Sequence, residues 1–425
     1  MSFDQGLSGL NAASTQLSVI GNNIANASTV GYKASDIQFA DVYANSLGGG
    51  GASPVGIGVA SSDIAQQFTQ GSISTDSNPL DIAINGNGFF QLSTNGTITY
   101  TRTGQFHLDA TGAIVNAAGA NLQGYNANAL GVLNTGAPTN LVINAANLPP
   151  AITSTVGTVL NLDSSSPVLN PAGFSPTVPS TYTYSTSVSV YDSLGNSHAL
   201  QTYYVNNGVV APSTENSWSV FATMDGKTVG YTPPAVPVPV GKFSFTSAGT
   251  LDPATTTPVT NPPFSVALAI PLANGATTPQ NIAISYTGTT QYGTTSGVNS
   301  QIQNGYASGQ LTQFSAGADG IITGTYSNGQ TQTLGQIVMN NFVNPGGLKN
   351  AGKNEWYASA ASGTPLLGTP GSGSLGTLQS SAVENSTTDL TSELVNMITA
   401  QQDYQANAQT IKSQDQITQT LVTLR

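Results

Sequence analysis

No cysteine occurs in the 425 residues, which removes disulfide staples, thiolate nucleophiles and thiolate metal sites together. Charge is almost as scarce: charged residues make up 6% of the chain, against about 25% in ordinary globular domains. Within that small share 19 acids face 8 bases, for a formal net charge of -11. The bases are scattered singly, so nucleic acid and anionic membrane surfaces are unsuitable partners. No apolar run approaches the ~18 residues of a membrane span, and neither membrane insertion nor a lipid anchor is expected. The N-terminus, MSFDQGLSGL, lacks the basic start and apolar core of a cleavable secretory signal. A soluble protein without a cleaved leader is the expectation.

Catalytic chemistry is equally thin. The two histidines, His107 and His198, both fall in predicted hairpin strands. His198 lies near Asp192, but no Gly-x-Ser-x-Gly elbow accompanies them, so a surface or turn-supporting histidine is the favoured reading. GNGFFQL lacks the Lys-Ser/Thr and the strand-to-helix setting of a phosphate loop. Asp4, Asp36, Asp41, Asp63 and Asp76 are isolated, with no spacing that matches a zinc or calcium site. No enzyme activity, metal or cofactor is expected.

What the chain does contain is a helix at each end and β pattern between. Phe3, Leu10, Ala13, Leu17, Ile20 and Ile24 step by 7, 3, 4, 3 and 4, an apolar seam with small or polar residues on the other face. The seam runs into Gly-Asn-Asn and Asn-Ala-Ser-Thr, which are expected to end the helix and form a turn that can change angle. Near the C-terminus Leu390, Leu394, Met397, Ile398, Tyr404, Ala408, Ile411, Thr418 and Val422 keep a similar spacing once Gln401 and Asp415 are admitted as polar seam positions. They predict a helix of roughly 35 residues, on the order of 50 Å long. Ser386, Thr387 or Thr388 is the expected cap.

The middle alternates in DIAINGNGFFQL and breaks at Asp-Ala-Thr-Gly and Ala-Ala-Gly turns in FHLDATGAIVNAAGANLQGY, predicting serial hairpins. Phe314, Gly320 and Ile322 echo the spacing of Phe106, Gly112 and Ile114. From about Ala145 to Ser300 the composition shifts to Thr, Ser and Pro, with one strong hairpin about Asp192 to Asn196. Between Tyr231 and Gln280 prolines are so dense that only edge strands or loops are expected. A chain of this length exceeds one core. The fold expected is therefore mainly β with long terminal helices that pair in coiled-coil fashion, followed by two β domains, the outer inserted in the inner. The boundaries expected are 1–30 with 386–425 for the helical domain and 31–75 with 376–385 for the connecting region. The inner β domain takes 76–145 with 301–375, and the insertion 146–300.

SGLNAASTQLSVIGNNIANASTVGYK resembles the N-terminal motif of the axial proteins of the bacterial flagellum, the rod, hook and hook-filament junction subunits. The matching positions are Asn22, Asn23, Ile24, Ala25, Asn26, Thr29, Gly31, Tyr32 and Lys33. LTSELVNMITAQQDYQANAQTIKSQDQITQTLVTL is similar to the family's C-terminal helix, although Ser386-Thr387-Thr388-Asp389 and Gln402-Asp403 depart from its usual residues. VYDSLGNSHALQTYY, QNGYASGQLTQF and NGQTQTLGQIVMNNFVNPGGL resemble the hook members of that family. The resemblance implies a subunit of a curved helical tube that transmits torque as a universal joint around a central channel. It implies export without a cleaved leader, and as partners further copies of the chain, rod and junction proteins at the ends, and a hook cap and type III export gate during assembly. Phe39 and Tyr43 resemble an export-gate signal. Gly31→Pro is then expected to damage assembly before it damages the monomer, and Gln401 and Asp415 to loosen the seam's register.

Overall fold

The computed structural model describes residues 2–42, 56, 58–210, 215–230, 236–253, 255–256 and 265–423. Tyr43 and part of the proline-dense stretch lie outside them. Helix α1 spans Ser2–Ala25 and helix α2 spans Leu390–Thr423, 34 residues; the two pack together, and the described chain between them is β apart from short 3-10 turns. The mainly β architecture with paired terminal helices is the one expected.

Both helix ends differ in detail from expectation. α1 continues through Gly21-Asn22-Asn23 to Ala25, because Gly21 faces open space and the Asn22 carbonyl still accepts from the Asn26 N–H at 3.2 Å. α2 is capped by Asp389, whose Oδ1 accepts from the Thr391 and Ser392 N–H groups at 2.9 and 3.2 Å. Ser386 and Thr387 are spent elsewhere: Ser386 Oγ accepts from the Thr388 N–H, and Thr387 Oγ1 from the Ala34 N–H.

The chain forms two compact units, residues 1–145, 312–325 and 331–425 in the first and 146–311 with 326–330 in the second. The first unit carries a thirteen-stranded sheet. Its serial hairpins fall where the Gly turns predict them: Phe106–Leu108, Ile114–Asn116 and Asn121–Asn126 pair in succession. At the first turn Asp109 Oδ1 accepts from the N–H groups of Thr111 and Ala113, each at 2.8 Å, while Gly112 takes φ +82°. The echo repeats this with Asp319, whose Oδ1 accepts from the Ile321 N–H, beside Gly320 at φ +77°. Phe68, Phe89, Tyr100, Phe342 and Trp356 pack edge to face, with centroids 4.9–5.9 Å apart. An antiparallel ribbon, β1 (Ser35–Val42) with β2 (Gly58–Gln66), forms a separate two-stranded sheet beside α1.

The second unit has two five-stranded sheets. Val156, Leu160, Leu162, Ile282 and Ile284 of one share a core with Leu200, Tyr204, Trp218, Val220 and Phe243 of the other. The expected hairpin is present, Tyr184–Tyr191 against Ser197–Val209 with Tyr191 opposite Ser197. Within the proline-dense stretch Gly241–Phe245 pairs with Asn216–Met224 and Phe245 also bridges Leu251, while Ser265–Ile270 lies at a sheet edge beside Gln280–Ser285.

Candidate assembly surface and terminal clasp

Small residues let the helices approach. A side chain at Gly9 would place its Cβ 2.6 Å from the Asn407 Oδ1, and one at Gly6 would lie 3.0 Å from the Ile411 Cγ1. Gly6, Ala13, Ile20 and Asn23 are the buried residues of α1, while Leu10, Leu17 and Ile24 are half-buried and Phe3 is exposed. On α2 the residues withdrawn from water are Ala400, fully buried, and Glu393, Met397, Asn407, Ala408, Ile411 and Gln414, half-buried. Leu390, Leu394 and Ile398 recur every fourth residue and therefore share one face. That face is exposed, as are Val395, Gln401, Tyr404, Asp415, Ile417, Thr418 and Val422. The C-terminal residues named from sequence thus divide into two stripes, Met397, Ala408 and Ile411 turned from water and Leu390, Leu394 and Ile398 open to it. Gln401 and Asp415 lie outside the inner stripe, and Asp415 Oδ2 accepts from Gln419 Nε2 within α2.

Below the helices the motif Asn22 to Lys33 is tied to the C-terminal lead-in at several points. Asn23 Nδ2 donates to Glu393 Oε1 at 3.0 Å and to the Ser35 carbonyl at 2.8 Å, and Asn23 Oδ1 accepts from the Ser35 N–H and the Tyr32 hydroxyl. The Gly31 N–H donates to the Glu384 carbonyl at 2.8 Å, and the Thr387 N–H to the Tyr32 carbonyl at 3.2 Å. Asn22 Nδ2 donates to the Tyr32 hydroxyl, and Asn26 Nδ2 to the Asn22 carbonyl; Thr29 Oγ1 donates to Asn26 Oδ1. Ala25 is exposed. Burial and the nearby Glu393 charge push the Tyr32 phenol up, which keeps it neutral and able to donate.

The clasp closes on three buried charges. Lys33 Nζ lies 2.7 Å from Glu384 Oε1, and Arg102 Nε lies 3.0 Å from Glu384 Oε2. Lys33 also donates to the Thr69 carbonyl at 2.6 Å, and Arg102 Nη1 to the Gly86 and Gly88 carbonyls at 2.8 and 2.7 Å. The Gly71 N–H adds a further bond to Glu384 Oε1. Burial alone would push the Glu384 carboxyl up, but Arg102 and Lys33 outweigh it and hold it below its ordinary value. Burial and the like charge of Arg102 push the Lys33 ammonium down, against the opposing pull of Glu384. One carboxylate therefore serves two cations, so its loss would strand both.

Gly31, where a turn able to change angle was expected, is buried and bonded into the clasp. Gly31 sits at φ +69°, and a Cβ there would fall 2.8 Å from the Thr103 backbone nitrogen. Its N–H is also consumed by the clasp, so Gly31→Pro strikes the monomer itself. Arg102, Glu384 and Glu393 escaped the sequence reading because single charges carry no periodicity. Their isolation in a charge-poor chain was the available signal. Phe39 is exposed on β1.

In the second unit His198 supports turns. Its Nδ1 lies 2.6 Å from Asp225 Oδ2 and its Nε2 lies 3.3 Å from Asp192 Oδ2. Burial lowers its pKa, but the bonds to Asp225 and Asp192 raise it more, and the balance is upward. Asp192 also accepts from Asn196 and from Asn274. His107 lies on the strand Phe106–Leu108, opposite Val115.

Four family models match along the chain. Residues 3–33 match the flagella basal body rod protein model, and residues 83–159 the D1 domain of flagellar hook protein FlgE/F/G. Residues 161–306 match the flagellar basal body protein FlaE D2 domain, and residues 379–424 the flagellar basal body rod FlgEFG protein C-terminal model. The chain is 41% identical over 434 residues to the flagellar hook protein FlgE of Escherichia coli K12, with both chains covered completely. It is 33% identical over 464 residues to that of Treponema pallidum, covering 100% of this chain and 99% of the relative. The crystal structure of Helicobacter pylori flagellar hook protein FlgE2 superposes with a TM-score of 0.52 at 15% identity, covering 73% of this chain and all of that one, a likeness of fold.

Proposed function

Because the chain belongs to the flagellar hook protein family, whose members are structural subunits of the bacterial flagellar hook, we propose that its paired terminal helices are the element through which it polymerises. The observation that carries this is the exposed stripe Leu390, Leu394 and Ile398 on a helix whose adjacent face is already packed on α1. A stripe of that kind gains its burial from another copy, at roughly 25 cal/mol per Å² of apolar surface. Contacts repeated head to tail build an open helical polymer where the rotation between copies does not close into a ring.

On this reading Phe3, Leu10, Ala13, Leu17, Ile20 and Ile24 on α1, with the α2 seam, form the tube's inner layer around a channel. Residues 1–30 with 386–425 act as the assembly domain, 31–75 with 376–385 as the connecting region, 76–145 with 301–375 as the inner β domain and 146–300 as the insertion. The clasp fixes the connecting region, so bending falls to sliding between subunits, where weak uncharged contacts give many near-equal registers. Rod and junction proteins at the ends, a hook cap, and passage through a type III export gate without a cleaved leader complete the reading, with Phe39 and Tyr43 as the gate signal. Electron microscopy of the purified chain tests it. Curved tubes are expected, and a chain that stays monomeric under all polymerising conditions contradicts it.

A further inference from the structure

The first unit is acidic, and its exposed cations outside the helices stand together. Of its described bases between the helices, Lys33 and Arg102 are buried in the clasp, and Lys349 and Lys353 are exposed on one hairpin. Among the described residues the strand Lys349–Gly352 pairs only with Glu355–Tyr357 and ends its line of strands in the large sheet, which leaves its outer edge open there. All four of its residues are exposed. Lys353 and Asn354, at φ +56° and +57°, make the tight turn that holds the hairpin in register. Neither lysine has an ion-pair partner among the described residues.

The β1–β2 ribbon has the opposite character. Asp36, Asp41 and Asp63 are exposed, and neither strand contains a base. Phe39 and Ile64 are exposed beside them. A two-stranded ribbon of this kind is marginal on its own in water, and at its α1 end the Ser35 N–H and carbonyl bond Asn23 while the Val59 N–H bonds Ser8 Oγ. Lysines on an open edge repel another lysine edge while admitting an anionic strand.

We propose that the 349–352 edge of one copy docks the acidic β1–β2 ribbon of a neighbouring copy. The contact rests on the polymer reading above and names a second surface within it, away from the helices. The test uses the full chain. Lys349→Glu with Lys353→Glu is expected to slow polymerisation at low salt about tenfold, with the loss shrinking as salt screens the contact. Adding Asp36→Lys, Asp41→Lys and Asp63→Lys to the same chain restores the rate. A guard role for the lysines alone would give no such restoration. Because the chain has no cysteine, a Lys349→Cys chain mixed with an Asp63→Cys chain can be polymerised and treated with a short bismaleimide; the mixed dimer is expected. Wild-type rates in the reversed chain, no restoration, or no mixed dimer overturn the pairing while polymers still form. A wild-type chain that forms no polymer overturns this inference and the reading it rests on.

Discussion

The second unit and the terminal helices treat apolar side chains in opposite ways. In the second unit Trp218, Tyr204 and Tyr286 are 0% exposed, enclosed between two sheets. On α2, Val395 is 59% and Ile398 is 56% exposed. The β sandwich is a finished object, whereas the helix has one face filled by α1 and another left over. On the proposed reading, stability resides in the enclosed cores and adhesion on the open face. Substitutions in the sandwich and at the clasp are then expected to act on the monomer, and substitutions on the open stripe on the polymer.

Glu384→Gln should show the largest monomer effect, because it leaves Lys33 and Arg102 buried without their carboxylate. About 3–5 kcal/mol of stability is expected to be lost, read by urea unfolding of the first unit. The same carboxyl has a pKa below its ordinary 4.5 in the folded state, so its contribution is present above that pH and fades as acid carries the folded chain through the lowered value. An unfolding series into acid should therefore steepen in the wild type and flatten in Glu384→Gln. A smaller loss, about 1–3 kcal/mol, is expected from Asn23→Ala, which unties Glu393 and Ser35; a calorimetric transition at the wild-type temperature would argue that the clasp does not hold the helix. Smaller still, and confined to the second unit, is the effect of His198. Its raised pKa means its contribution is complete below about pH 6.5 and is lost as pH rises through the folded value. His198→Gln should remove that alkaline decline, as followed by Trp218 fluorescence.

Much of the fold was legible because its signals are periodic. The 3/4 spacing from Phe3 to Ile24 marked α1, and the Asp-x-x-Gly turns at Asp109 and Asp192 marked hairpins that the backbone bonds of those aspartates now explain. The open stripe was only half legible. Spacing alone placed Met397 and Ile398 in one seam, though helix geometry turns them to different faces once α1 is in place. The clasp was hidden for another reason. Lys33, Arg102 and Glu384 meet across most of the chain's length, and no local pattern reports a contact of that range. Gly6 and Gly9 carry no apolar signal in the seam, yet their missing side chains are what admit Asn407 and Ile411.

The smallest monomer effect belongs to the open stripe, and it tests the central claim most directly. In Leu394→Asp with Ile398→Asp, unfolding of the monomer is expected to stay within about 0.5 kcal/mol of wild type, while sedimentation and electron microscopy find no tubes. Tubes at the wild-type concentration, or a monomer destabilised as much as by Glu384→Gln, would contradict the division between a finished β body and an unfinished helical face.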